Sequence, residues 1–154
     1  MASAEPLAAP SRRTIESVLM ATSREMRRAY DTRLAGLDLK LSEAFLLGHV
    51  HAHGPLTQTQ LAEGLGIGRA ATGSLVDALE RKGLVQRAAD AGDRRVWLVA
   101  TTERAGPLAD ELATVDVALR DELWAGISRA ERRQLSETLL RLQGNLAAIL
   151  NEQI

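Results

Sequence analysis

Between residues 86 and 102 the sequence reads QRAADAGDRRVWLVATT. Asp90, Ala91, Gly92 and Asp93 make a turn, and an alternating apolar run follows it. The pattern predicts a β-hairpin with Arg94 and Arg95 at its tip. Guanidinium groups there add nothing to a core. Either they solvate the tip and deter edge pairing, or they reach for an anion.

Other residue types that do chemistry are sparse. All three histidines fall in HVHAHG. If that stretch is helical, His49 and His53 share a face one turn apart, as metal ligands can, yet two ligands do not close a site. Three readings stay open: a partly exposed helix end, part of a small-molecule pocket, or a metal site completed by a carboxylate or a second subunit. GIGRAA, residues 66–71, fits the G-x-G-x-x-A of a dinucleotide turn. That turn needs a buried apolar strand before its first glycine, and TQTQLAEGL is polar and helix-capped instead. No cofactor is therefore expected. No nucleophile, base and orienting group can be assembled, so the chain is read as not an enzyme. With no cysteine, disulfides, thiolate metal sites and thiol redox switches are excluded.

The elements that must position these residues follow from apolar periodicity. From Ile15 to Leu37 apolar positions recur at three and four, predicting one long amphipathic helix. Ser42 is the expected cap of a second helix that ends at HGP. Thr57 with Gln60 forms a capping-box pattern for a short third helix, which stops at the glycines of EGLGIG. A fourth runs from about Arg69 to Lys82, with Ala71, Leu75, Val76 and Leu79 on its apolar side and Gly83 closing it. Strands from Leu84 to Ala88 and Val96 to Thr101 frame the arginine-bearing turn. Two long helices follow, the last opened by Ser128 with Glu131 and striped by Leu135, Leu139, Leu142, Leu146 and Ile149.

Helix, turn, helix and hairpin in that order make a winged helix-turn-helix. The fold class is mainly α with a small β-hairpin, carrying long N- and C-terminal helices. The expected organisation is a flexible arm over 1–13, a dimerisation helix over 14–40, a winged helix-turn-helix lobe over 41–101 and dimerisation helices over 102–154. The near-heptad stripe on the last helix, and a first helix too long for a small lobe to hide, point to a homodimer. Its contacts are assigned to Ile15, Val18, Leu19, Leu139, Leu142, Leu146 and Ile149.

On the fourth helix the residues away from the apolar side are Arg69, Ala70, Thr72, Gly73 and Asp77. They are mostly small or hydrogen-bonding, which lets a helix approach base edges in a major groove. Thr57, Gln58 and Thr59 open the third helix with N–H groups and hydroxyls suited to phosphate. With Arg87, Asp93, Arg94 and Arg95 of the hairpin, these are the candidate DNA-binding residues. The net charge of −1 hides an asymmetry, because residues 12–33 hold six arginines against three acids. No apolar run approaches the ~20 residues of a membrane span. The N-terminal stretch lacks a signal-peptide pattern, and the cytoplasm is the expected compartment. A winged-helix module for protein assembly is the rival reading, and a His-dependent metal-binding protein a weaker one.

LTQTQLAEGLGIGRAATGSLVDALERKGLVQR followed by DAGDRRVWLVATTERAG resembles the MarR family of bacterial transcription regulators, and the likeness spans nearly the whole chain. The family's wing signature, an Asp and an Arg separated by one residue, matches Asp93 and Arg95. The resemblance implies that a wing arginine enters the minor groove beside the major-groove helix. It further implies a homodimer on double-stranded DNA at a pseudo-palindromic operator, most often as a repressor. A small, often aromatic or phenolic, effector would bind between the dimer helices and the DNA-binding lobe. Met26, Tyr30, His49 and His53 are the candidate effector residues, with Arg27 or Arg33 as an anion partner. The missing cysteine rules out cysteine-based peroxide sensing.

Overall fold

The computed structural model describes residues 10–151. Residues 1–9, most of the segment read as an arm, lie outside the described residues. The chain divides into two compact units, one ending at Leu119 and the other starting at Arg120.

In the first unit, α1 spans Arg12–Leu34, so Arg12 and Arg13 of the expected arm are already helical. Ser11 caps it, its hydroxyl accepting the Thr14 N–H at 3.2 Å. Only Tyr30 and Leu34 of α1 are buried. A 3₁₀ turn, Ala35–Leu37, follows, and Asp38 takes the left-handed conformation (φ 54°) that stops the helix. Helix α2 spans Leu41–His53. Ser42 does not cap it. The Lys40 N–H donates to Glu43 Oε2 at 2.9 Å and the Leu41 N–H to Asp31 Oδ1 at 2.7 Å, so carboxylates take the orphan donors and Ser42 falls inside the helix.

The two-residue strand β1, Leu56–Thr57, leads into α3, Gln58–Leu65. Gly66 (φ 63°) ends α3 in the left-handed cap that a side chain would strain. Helix α4 spans Arg69–Arg81, and then β2, Val85–Ala89, and β3, Trp97–Thr101, form the hairpin. The sheet is three-stranded and antiparallel in the order β1-β3-β2, with Leu56 opposite Val99 and Arg87 also opposite Val99 across β3. The sequence signals only the hairpin, because two residues are too few to show alternation. The core joins Leu46, Leu47 and Val50 of α2 to Leu61 of α3 and Val76 and Leu79 of α4, all with no exposed surface, and the sheet adds Val85 and Val99. Glu43 is buried too, and Lys82 Nζ meets its Oε2 at 3.0 Å, joining the start of α2 to the end of α4.

Helix α5, Ala105–Leu123, runs across the division between the units. The second unit is dominated by α6, Arg129–Asn151. Ser128 Oγ accepts the Glu131 N–H while Glu131 Oε2 accepts the Ser128 N–H at 2.8 Å, a closed capping box. The Ser128 hydroxyl and N–H together hold the Glu131 carboxyl below its ordinary pKa. No residue of α6 is buried. Leu142, Leu146 and Ile149 expose 39%, 48% and 54% of their surface, a regular apolar stripe left open by the described residues.

Candidate nucleic-acid interface

The hairpin tip is built by two aspartates. Asp90 Oδ1 accepts the N–H groups of Gly92 at 2.6 Å and Asp93 at 3.2 Å, which closes the turn on its own side chain. Backbone bonds from Asp90 N to Val96 O (2.9 Å) and from Val96 N to Asp93 O (2.8 Å) pin its base. Asp93 Oδ1 then accepts both the N–H and the Nε–H of Arg95, at 3.0 and 3.2 Å. Arg95 is nevertheless 92% exposed at the side chain, so Asp93 aims the guanidinium without burying it. Arg94 is exposed, and among the described residues its side chain has no hydrogen bond or ion pair. The tip therefore offers one aimed cation and one free one.

At the hairpin's base Arg87 is held by α4. Its Nη2 donates to Asp77 Oδ1 at 2.5 Å, its Nη1 to Glu80 Oε2, and its backbone N–H to Glu80 Oε1 at 3.2 Å. The hydrogen bond to Asp77 is the foremost cause holding this guanidinium above its ordinary pKa. Sequence reasoning placed Asp77 and Arg87 as separate DNA contacts. Folding joins them into a clamp, so their charges already answer each other, and Glu80 is a member that the sequence reading missed. The clamp ties the wing to α4 at one fixed point.

Helix α4 presents a face that differs from the sequence reading at Ala71, Thr72 and Ser74. Arg69 and Ala70 are exposed as expected, and Gly73 is half-buried. Thr72 is not at the surface: it is fully buried, and its hydroxyl donates to Gly68 O at 3.1 Å. It lines the core stripe Thr72, Val76, Leu79, and its polar atom is satisfied by the preceding turn, which makes burial affordable. A direct DNA contact from Thr72 is thereby corrected. Ser74 is exposed in its place, and Ala71, assigned to the apolar side, is exposed too. Thr72→Val is expected to stay within about 1 kcal/mol of wild type in urea denaturation, since only one bonded hydroxyl is lost. Thr72→Lys buries an unpaired charge and should cost more than about 3 kcal/mol.

At the start of α3, Thr57 is occupied by its own capping box. Its hydroxyl accepts the Gln60 N–H at 3.2 Å and its backbone N–H donates to Gln60 Oε1 at 2.9 Å. Thr59 is exposed and Gln58 half-buried, and the first-turn N–H groups have no helical partner. A groove of about 560 Å³ separates this helix start from the base of the wing. Trp97, 59% exposed, forms part of its wall; no charge or spacing in the sequence signalled it.

The four candidate effector residues fall into two pairs, Met26 with Tyr30 on α1 and His49 with His53 on α2. Tyr30 is buried, donates to Asp116 Oδ1 at 3.2 Å and lies 6.4 Å from the Phe45 ring, while Met26 stays exposed. His49 and His53 pack ring to ring at 4.3 Å on α2, and His53 Nδ1 lies 2.9 Å from His49 O. The far edge of the His49 ring fills the space over Gly64, where an added Cβ would come within 2.6 Å of Nε2. None of the four lines the groove beside α3 or the cavity of about 620 Å³ around Leu37, Leu84 and Leu108. Among the described residues no three His, Asp or Glu side chains converge as a metal site.

Comparison with known proteins agrees with this architecture. The sequence profile of the MarR family matches residues 37–96, the segment from the 3₁₀ turn to the wing tip. The transcriptional regulator PA3341 shares 32% identity over 87% of this chain and 98% of its own, with a TM-score of 0.74. MepR of S. aureus, solved as a DNA complex, is 26% identical over 86% of this chain and 97% of its own, with a TM-score of 0.79. A mutant MarR from E. coli complexed with operator DNA shares the fold at 21% identity, covering 84% of this chain and 93% of its own with a TM-score of 0.77. Three-stranded wing, helix-turn-helix and flanking long helices, together with a 32% identical relative that the chain covers almost end to end, identify this chain as a member of the MarR family of winged-helix transcriptional regulators.

Proposed function

We propose that this protein binds double-stranded DNA as a homodimer and represses transcription from a pseudo-palindromic operator. The observation that carries the reading is the wing tip, where Asp93 holds an exposed Arg95 beside an unpaired Arg94 on a hairpin clamped to α4. In this reading Arg69, Ala70, Gly73 and Ser74 of α4 enter the major groove, with Arg69 the side chain long enough for a bidentate base contact. Arg94 and Arg95 take the adjacent minor groove. The first-turn N–H groups of Gln58 and Thr59 take phosphate. The MepR–DNA complex, at 26% identity, supports this use of the fold. Two copies would set the α4 helices on half-sites about 10 bp apart. Small residues on α4 leave much of the selectivity to DNA shape. Action on DNA places the protein in the cytoplasm, and no described helix is long and apolar enough to cross a membrane.

Release by a small aromatic effector fits the same scheme if the effector prefers a dimer whose α4 helices are wrongly spaced. Tyr30, Phe45 and Met26 are the residues proposed to meet it. Binding is tested by titrating the protein against the DNA upstream of its own gene, and against a duplex selected from a random pool, across a salt series. Steep loss of affinity with salt is expected. A folded protein that selects no sequence from the pool refutes the reading.

The clamp gives a sharper test. Arg87→Ala is expected to weaken DNA binding by about three- to tenfold by baring Asp77 and Glu80 to the phosphates. Adding Asp77→Asn and Glu80→Gln should restore most of that loss. If the triple variant binds as poorly as Arg87→Ala, the guanidinium itself touches DNA.

A further inference from the structure

Trp97 stands at the first position of β3, and Val99 two residues on is buried to 1% on the same face of the strand. At Trp97 that face has run past the core, and the indole stands 59% exposed beside the groove. Thr57, Gln58 and Thr59 at the start of α3, together with Val96 and Val99, line it as well, and Arg87 does so with its guanidinium already paired to Asp77 and Glu80. No acid lines it. Its character is thus amphipathic: an aromatic face together with hydroxyl and amide donors.

The occupant follows from where the groove lies. It runs between the start of the helix-turn-helix and the base of the wing. In the docking proposed above, the start of α3 meets phosphate and the wing enters the minor groove, so the space between them faces the sugar–phosphate strand that borders that groove. That strand is a chain of apolar sugar faces alternating with anionic phosphates, which matches this lining. We infer that this groove seats one sugar–phosphate segment of the bound DNA, with the Trp97 indole packed on a deoxyribose and the Gln58 and Thr59 N–H groups on the neighbouring phosphate. The inference rests on the DNA-binding reading above and adds a contact that no charge signal reveals. Trp97 then fixes where the wing sits on the duplex without reading sequence.

The chain has two tryptophans, Trp97 and Trp124. In a Trp124→Phe background, shown to bind like wild type, Trp97 is the sole indole reporter. The probe is the duplex selected from a random pool by the wild-type protein. Addition of that duplex should shift Trp97 emission saturably and shield the indole from acrylamide. In the otherwise wild-type chain, Trp97→Ala should weaken binding about five- to twentyfold, and Trp97→Phe should recover most of the loss. The salt slope should stay as in wild type, because an indole displaces no counterion. A duplex that binds while Trp97 stays open to acrylamide, or a Trp97→Ala variant of wild-type affinity, overturns the groove assignment and leaves DNA binding intact. Failure of the wild type to bind any duplex overturns both. A drop in salt slope of about one with Trp97→Ala also counts against the indole contact, since it means that a phosphate-binding cation was displaced instead.

Discussion

The double variant Arg94→Ala, Arg95→Ala should lose specific DNA binding while keeping its fold. Both side chains are exposed at the wing tip, and the turn beneath them is held by Asp90 and by backbone bonds that neither arginine makes through its side chain. Urea denaturation should therefore place its stability within about 0.5 kcal/mol of wild type. Each wing arginine that meets a groove or a phosphate is worth about 1–3 kcal/mol, and neighbours do not add fully. Together they give a loss of about 30- to 1000-fold in affinity. The slope of log affinity against log salt should also fall by about 1.8 if both displace counterions. The single variants should differ. Arg95 is aimed by Asp93 and loses less freedom on binding, so Arg95→Ala is the costlier of the two. Electrophoretic mobility shifts and fluorescence anisotropy over a salt series would decide it. Wild-type affinity in the double variant would leave α4 and α3 as the whole interface.

Leu142→Glu with Leu146→Glu is the second large effect. No side chain of α6 is buried, and most of a helix's stability in a protein comes from packing its apolar face, which here is the leucine stripe. If a second copy covers it, two glutamates per chain put four carboxylates into an apolar contact, each costing several kcal/mol unpaired. If this stripe carries the proposed homodimer contact, sedimentation should show wild type as a dimer and the variant as a monomer at micromolar concentration. DNA affinity should drop by about 10²- to 10⁴-fold as the two half-sites lose their linkage. A variant that remains dimeric would move the interface away from this stripe. A monomer with wild-type DNA affinity would mean that one copy reads the operator alone. The exposed Ile15, Val18 and Leu19 of α1 are the counterpart to test next.

Much of this was legible along the chain. Capping boxes at Thr57 and Ser128 are local: hydroxyl, N–H and carboxylate or amide lie within three residues, so four letters determine them. The hairpin turn is local for the same reason, as Asp90 closes it on its own neighbours. Long apolar stripes and left-handed glycines gave the helices and their ends. The face that α4 turns outward was not determined this way. Its sequence allows a core stripe through Ala71 and Leu75 or through Thr72, Val76 and Leu79, which differ by one residue of rotation, roughly 100°. The packed neighbours choose the second, and Thr72 can follow because the Gly68 carbonyl satisfies its hydroxyl.

Three features belong to tertiary structure alone. Along the chain Arg87 gives no sign of its pairing with Asp77 and Glu80, which is set by how the hairpin folds back on α4. Trp97 looked like any strand residue until the start of α3 left a groove beside it. Glu43 and Lys82, thirty-nine residues apart, gave no sign of sharing a buried contact. By itself the sequence determined what short-range hydrogen bonds and periodicity can encode: the winged helix-turn-helix, its order, and two arginines at a tip where no core could use them. Only the fold decided which charges remain available to a partner, because whether a charge is neutralised depends on neighbours that the chain brings together from far apart.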